Sequence, residues 1–588
     1  MAAIDWIIVA AYLAFALGVG VVFARRAGAD TGEFFISGRR LPWWIVGTSM
    51  VATSFASDTP LVITGWVRRH GIHFNWLWWS FAIGGMFSVF CLSRLWRRAE
   101  IVTDVELTEI RYSGLSAAAL RAFRGAYMAI IVNCITLAWV ILAMIKLTGV
   151  LLGVPPVWAV AACVVLTTIY ATMSGLWGVV VTDVVQFVIA MAGSVVLCVV
   201  VVAHFGGVTA LAAKATAASP LGEGLLNFFP RPPAGAGPLD GAFWSGPIVA
   251  FCVFLFVQWW ANKNADAGGV VVQRMSAAKD ERHAMLGTLW FNVANYALRP
   301  WPWIVVAVAS VVVFPDIADG EAAYPAMIKA FLPPGLMGLM VAAFLGAFMS
   351  TVDTHLNLSS AYLVNDVYRR FVRPGASERH YVAVSRIACV GFVLLASAIA
   401  LSADRIADLF VFLLAFTSGI GLVLILRWFW WRINAASELA AMLASGAISI
   451  GLYAAKAIVG AERLPWLTSQ VILAITVAGS AAAMLIATFA TPPVSRERLV
   501  AFYRLVRPYG AWGPIPAAAG VAPPKGLRRM LINWLAGSVM VLAATFAVGK
   551  FLLGAFAAGW AYAAAAVAAA AVFAPAVLRT APPPTPKA

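Results

Sequence analysis

Along most of this chain the apolar positions do not alternate with polar ones. They run together in blocks of about 18 to 25 residues with hardly a charge, the length a helix needs to cross roughly 30 Å of hydrocarbon at 1.5 Å per residue. The blocks predict about fourteen spanning segments: residues 4–24, 43–67, 74–96, 122–150, 155–173, 179–203, 244–267, 284–314, 335–365, 382–402, 407–427, 437–459, 467–489 and 530–578. The last is read as two helices broken near 550–554. The alternating strands of a transmembrane barrel are not seen, so the expected fold class is an all-α polytopic membrane protein. The first block does not read as a cleaved signal peptide, because Asp5 stands where a basic region is needed and Arg25 and Arg26 follow the apolar run.

Composition agrees with lipid as the solvent. Of 588 residues, 62% are hydrophobic and 11% charged, and the mean hydropathy is +0.90, more apolar surface than a water-soluble globule can hide. The net charge of +16, from 41 Lys and Arg against 25 Asp and Glu, is spread over short connectors and not gathered on one soluble face, which reads as topogenic charge and not as nucleic-acid binding. Cys91, Cys134, Cys163, Cys198, Cys252 and Cys389 lie within apolar blocks without CxxC spacing, so neither a disulfide framework nor a zinc site is expected.

Basic residues occupy alternate connectors: Arg25, Arg26, Arg39 and Arg40; Arg94, Arg97 and Arg98; Arg274, Lys279 and Arg282; Arg369, Arg370, Arg373 and Arg379; Arg427 and Arg432; then 496–529. The positive-inside rule puts these in the cytoplasm and the amino terminus outside, in the cell (plasma or inner) membrane, with Arg68 and Arg69 as a local exception. An outer connector, 204–243, rich in Gly and Pro (Pro230, Pro232, Pro233), predicts a lid of short helices or loop. The inner connector, 490–529, mixes Arg with Phe502, Tyr503, Leu505 and Trp512, which suits a helix lying on the anionic inner leaflet.

Three places carry chemistry. The span 43–67 is too polar between Thr53 and Pro60 for an uninterrupted helix; it is expected to unwind there, and the freed carbonyls must then face protein, water or a cation. The span 244–267 is interrupted near Asn262, Asn264, Asp266, Gly268 and Gly269. Two broken helices in comparable positions point to an inverted-repeat transporter with its site at mid-membrane. In the run 341–370, Ala347, Ser350, Thr351 and Thr354 share one helical face. Their hydroxyls suit a hard cation such as Na⁺, although such hydroxyls also bond their own helix carbonyls or glue helices together. Asp58, Arg299 and Asp353 are intramembrane ionisable groups, each costly enough to need a partner. Either Arg299 or Asp58 contacts a charged or zwitterionic solute, or Arg299 pairs with a carboxylate to hold helices together; the sequence leaves both open. Aromatic groups beside Asn75 (Trp76, Trp78, Trp79) and beside Gln258 (Trp259, Trp260) stack on a solute or serve as anchors.

The segments GRRLPWWIVGTSMVATSFAS (38–57), SGLWGVVVTDVVQ (174–186), QRMSAAKD (273–280) and AFMSTVDTHLNLSSAYLVNDVY (347–368) together, in this order and spacing, resemble the sodium:solute symporter family over residues 4–460. The resemblance implies a LeuT-type fold of two inverted five-helix repeats: a leading helix (1–30), a first repeat (43–203), a second (244–432), additional helices (433–489) and a carboxy-terminal stretch (530–588). It implies alternating access driven by Na⁺, with no organic cofactor. Carried over by position, it implies a sodium site of the carbonyls of Ala52, Phe55 and Ala347 and the hydroxyls of Ser350 and Thr351, with Asp183 close by to assist sodium or hold a second ion. Asp58, Thr59, Asn75, Trp78, Gln258, Trp259, Arg299 and Phe410 are the candidate solute contacts. The amide side chains that the family's sugar porters use are missing at Thr59 and near Phe410, and Ser54 stands where its proline porters have Asp, so the solute stays open. The stretch 259–273 is also longer than the family's pattern. No HExxH, GxSxG, CxxC or Walker loop suggests an enzyme. The rivals to Na⁺ symport of a small organic solute are a solute sensor working with a partner, a channel, and a proton-coupled transporter of the same fold.

Overall fold

The computed structural model describes residues 1–27, 37–101, 103–171, 176–232, 235, 237–240, 243, 244 and 246–578; Ser174, Gly175, Pro233 and the tail 579–588 lie outside them. The described chain is helical from end to end, with only two isolated backbone bridges, Leu41 to Ala278 and Trp430 to Ala511. Among the described residues ten helices are long and apolar enough to cross a membrane, eleven with the pair Ile406–Thr417 and Gly421–Phe429, which meet at 44°. The other expected spans are shorter or broken: Ala3–Val19, Pro156–Val165 and Gly246–Ala261, and Trp43–Ser54 followed by Thr59–His70.

Both expected breaks are present, each with its own local cause. The first helix ends at Ser54, Phe55 leaves the helical region (φ −87°, ψ 77°), and Thr59–His70 restarts with Pro60 in its first turn, where a missing N–H costs nothing. The second break follows Trp259–Ala261. Asn262 turns the chain: its amide oxygen accepts the N–H of Asn264 (2.8 Å) and its Nδ2 donates to the Gln258 carbonyl (2.9 Å), and positive φ at Ala267 (94°) and Gly268 (74°) leads into Gly269–Ala277. The carboxy-terminal pair, Leu527–Leu552 and Phe556–Leu578, is divided at Leu553 to Ala555 with Gly554 at φ 78°.

Three charged side chains, two weighed for topology and one against a signal peptide, have structural partners. Arg68 lies against the last turn of Pro300–Val313, donating to the carbonyls of Ser310 (2.5 Å) and Phe314 (2.6 Å), so it satisfies carbonyls that the helix end leaves bare. Arg427, counted as a connector charge, is fully buried among acids. Asp5 reaches out of Ala3–Ala27 to the start of Leu336–Ala361, accepting the N–H groups of Gly335 (2.6 Å) and Gly338 (2.8 Å). This is a capping interaction supplied from another helix, and Asp5→Ala is expected to destabilise the protein by about 1–2 kcal/mol. A detergent melting curve of the variant superimposing on that of the parent would show that the leading helix is not held this way.

The outer connector forms Val208–Ala218 and a turn, Gly222–Leu226, anchored by buried Leu225 and Phe228 and by the Trp76 indole, which donates to the Phe228 carbonyl (2.8 Å). The inner connector differs from the expectation. Leu499, Phe502, Tyr503 and Val506 of Arg496–Val506 are buried within the protein, where Phe502 stacks on Trp512 and Arg111 lies over both rings (5.5 and 5.0 Å). The apolar face is covered by protein and not by the leaflet; a hydrophobic stripe states that a cover is needed but not which one.

Candidate functional site

The first break packs against the middle of Leu336–Ala361. Thr351 Oγ1 lies 2.9 Å from the Ala347 carbonyl of its own helix and 3.4 Å from the Thr53 carbonyl across the interface, so the unwound turn and the hydroxyl face of the later helix are in contact. Ala52, Phe55, Ala347, Ser350 and Thr351 are all buried. Thr351 thus back-bonds to its own helix while touching the other strand of the site. A hydroxyl that donates its one proton keeps lone pairs for a cation.

Ser350 does something else: its hydroxyl donates to Asp183 Oδ1. On the other carboxylate oxygen, Ser49 donates at 2.6 Å and Thr53 at 3.5 Å. Asp183, on Leu176–His204, is fully buried, and it connects the first half-helix to Leu336–Ala361. The structure also brings in Arg274, which the sequence placed among cytoplasmic connector charges. It is fully buried, its guanidinium 3.9 Å from Asp183 and within 3.0 Å of Thr53 Oγ1 and 3.1 Å of Thr354 Oγ1. An uncompensated cation there would be costly to bury, and the carboxylate with three hydroxyls compensates it. The one available signal was its position, five residues beyond Gly269 of an interrupted span, where an ionisable group is intramembrane and needs a partner.

A cavity of about 280 Å³ lies beside this cluster, near the lower end of the roughly 300–1,000 Å³ typical of ligand pockets. Thr53, Ser54, Asp58 and Thr59 of the first break, Trp259, residues 262–264 and 267–269 of the second, and Thr351, Trp78 and Phe410 line it. Of the eight candidate solute contacts, Asp58, Thr59, Trp78, Trp259 and Phe410 therefore reach it. Asn75, Gln258 and Arg299 do not line it. Asn75 donates to the Ile72 carbonyl in its own turn (2.9 Å). Gln258 donates to the Leu77 carbonyl (2.6 Å) and borders a second cavity of about 200 Å³ beside Trp66, Arg69 and Arg405.

Of Arg299 and Asp58, the two groups read as alternative solute contacts, Asp58 lines the cavity and Arg299 does not. Among the described residues Arg299 has no carboxylate within ion-pair distance. It lies over the rings of Phe55 (5.7 Å), Trp78 (5.6 Å) and Trp303 (5.3 Å), with Nη1 3.4 Å from the Val51 carbonyl. A guanidinium enclosed by aromatic faces at the carbonyl end of a half-helix stabilises that end and fixes Phe55. Trp78 stands between it and the cavity. Phe410 packs against Trp66 (6.0 Å), Trp139 (5.6 Å) and Trp78 (6.4 Å), and Leu414 borders both cavities, so an aromatic layer separates the two spaces. Sequence reading missed Lys263, Asn292 and Asn295, which also line the larger cavity; the asparagines fall within an apolar block and gave no periodic signal.

At the other end of the second break a buried ionic network closes the structure. Asp266 pairs with Arg427, Glu438 with Arg124 and, at 3.5 Å, with Arg427, and Asp104 with Arg124 (2.8 Å).

The sodium:solute symporter family model matches residues 34–446. A sodium/glucose cotransporter 4 from Danio rerio is 25% identical over 479 residues, 74% of this chain and 69% of that protein, and a sodium/glucose cotransporter from Vibrio parahaemolyticus is 24% identical over 474 residues, 75% of this chain and 83% of that protein. The solved structure of a Na⁺-coupled sialic acid symporter, in a substrate-bound outward-open state, superimposes with a TM-score of 0.64 at 21% identity, covering 84% of this chain and 99% of its own. That likeness gives the same LeuT-type fold.

Proposed function

The chain belongs to the sodium:solute symporter family, and from that premise we propose how it moves Na⁺ and a small organic solute together across a membrane, as a transporter and not an enzyme. The observation that carries the reading is the contact of Thr351 with the Thr53 carbonyl at the unwound turn. In this reading sodium is held by the carbonyls of Ala52, Phe55 and Ala347 and the hydroxyls of Ser350 and Thr351. Asp183 sits alongside, raising the local cation concentration. Neutral oxygens bind Na⁺ weakly enough to release it, and a carboxylate compensated by Arg274 does not trap it.

Coupling follows from shared residues. The segment that would present Ala52 and Phe55 to sodium also places Ser54, Asp58 and Thr59 on the wall of the cavity. An ion that fixes the turn therefore fixes one side of the solute pocket, and by linkage the solute raises affinity for the ion by the same factor. The aromatic layer around Phe410 is the barrier between the cavity and the space beside Arg69 and Arg405; alternating access requires it to part on one side only. We place the protein in the plasma or inner membrane with its amino terminus outside, from the basic connectors.

Relatives are cotransporters of glucose and of myo-inositol; polyols are therefore among the first solutes to test. Proteoliposomes carrying an inward Na⁺ gradient are expected to accumulate solute above equilibrium, and to stop when choline replaces Na⁺ at fixed pH. Equilibration without accumulation would mean a channel, no flux a sensor, and accumulation persisting in choline under a proton gradient a proton-coupled carrier.

A further inference from the structure

Four polar groups of the large cavity have no part in the sodium cluster. Asp58 comes from the first break, Lys263 from the second, and Asn292 and Asn295 from the helix Glu281–Val313. Asp58 Oδ1, Asn292 Oδ1 and Asn295 Oδ1 are buried and accept no hydrogen bond from the protein. Asn292 spends its own donor on the Thr288 carbonyl (2.8 Å), leaving its oxygen against Gly85, where any side chain would collide with it. Lys263 sits in the turn held by the Asn262 side chain and forms no ion pair among the described residues; nor does Asp58.

An acid and a base that line one cavity with no ion pair in direct contact are costly to keep desolvated, and Arg299 for Asp58 and Asp104 for Lys263 act only from beyond ion-pair distance. A bound molecule that answers both removes that cost. A neutral polyol satisfies the three acceptors but leaves the Lys263 ammonium with no carboxylate in direct contact; a simple anion answers Lys263 and is repelled by Asp58. A molecule carrying a carboxylate and an ammonium answers both, and the walls of Trp78, Trp139, Phe291 and Phe410 cover its apolar part. Building on the symport reading, we infer that the solute is a small zwitterion, its carboxylate on Lys263 and its ammonium on Asp58, with the two asparagine oxygens taking further N–H or O–H donors.

The test is binding and flux with defined probes: 2-amino acids spanning small, branched and aromatic side chains, the matching 2-hydroxy acids, the matching amino-acid amides, and glucose and myo-inositol. At least one amino acid is expected to raise the melting temperature in Na⁺ and to be accumulated, while its hydroxy acid and its amide bind at least about tenfold more weakly, since each lacks one charge-assisted contact. Lys263→Gln should weaken the amino acid about 10- to 100-fold and abolish its preference over the amide, and Lys263→Arg should restore most of it; Asp58→Asn should abolish the preference over the hydroxy acid. In each variant the shift produced by Na⁺ alone should persist, which shows a folded protein.

Na⁺-driven accumulation of glucose or myo-inositol with no amino acid bound would overturn the zwitterion and leave symport standing. So would a Lys263→Gln variant that keeps parental selectivity, or a Na⁺-responsive protein that binds none of the amino acids. Accumulation of an amino acid equally well in choline would instead sink the sodium coupling and leave the pocket assignment intact.

Discussion

Asp183→Asn is expected to lower apparent Na⁺ affinity by about 10- to 100-fold and to abolish Na⁺-driven accumulation at ordinary sodium concentrations. The carboxylate accepts from Ser350, Ser49 and Thr53 and faces Arg274 at 3.9 Å. Hydrogen bonds to a charged group are worth about 1.5–3 kcal/mol, and each 1.4 kcal/mol is tenfold. The amide also cannot offset the buried guanidinium, so Arg274 is left to repel any incoming cation. Sodium titrations of the melting temperature, with tracer sodium flux beside them, measure both effects. Asp183→Glu keeps the charge and separates them: if charge is what matters, it retains sodium dependence at reduced stability. An Asn variant with parental sodium dependence would remove Asp183 from the ion pathway and leave it a helix-joining group.

Glu438→Gln is expected to be strongly destabilising at the far side of the second break, by about 3 kcal/mol, since it weakens several buried hydrogen bonds to a charged group worth about 1.5–3 kcal/mol each. Glu438 is fully buried and accepts from Arg124, from Arg427 at 3.5 Å and from Tyr112 at 3.1 Å. Through those arginines it joins Asp104 and Asp266, so one carboxylate ties the turn 262–268 to Gly114–Ala126, Gly421–Phe429 and Ala435–Val459. The amide takes away the charge-assisted bonds that join the two arginines to this helix, and each arginine then keeps one carboxylate, Asp104 for Arg124 and Asp266 for Arg427. Thermal unfolding of purified protein should fall sharply, with partial recovery in Glu438→Asp. A parental melting temperature would mean that this region opens to water.

Much of the site's framework was legible because its causes are local. Pro60 after a run of Ser and Thr, and Asn262 with Gly268, interrupt helices by backbone chemistry acting over a few residues, and both breaks fall where that chemistry predicts. The hydroxyl face of Ala347, Ser350, Thr351 and Thr354 follows from helical spacing alone. Arg274 and Arg427 were misread because the positive-inside rule treats a basic residue near a span end as solvated, whereas each has acidic partners supplied by distant helices. Asn75 and Gln258 were candidate solute contacts by residue type; neither lines the larger cavity, and Asn75 donates to the Ile72 carbonyl of its own turn while Gln258 donates to the Leu77 carbonyl of a distant helix. For Arg299 the sequence left a solute contact and a carboxylate pair both open, and the folded chain encloses it between three rings.

The sequence by itself determined that this chain lives in lipid, that two of its spans break, and that it belongs among sodium-coupled carriers, since apolar block length, backbone-breaking residues and motif order are properties of contiguous chain. Only the tertiary structure decided which polar side chains share a space: that Asp183 meets Ser350 and Arg274, that Asp58 and Lys263 line one cavity, and that protein covers the apolar face of Arg496–Val506. A buried charge is tolerated only beside its compensating partner, and the identity of that partner is set by how distant helices pack.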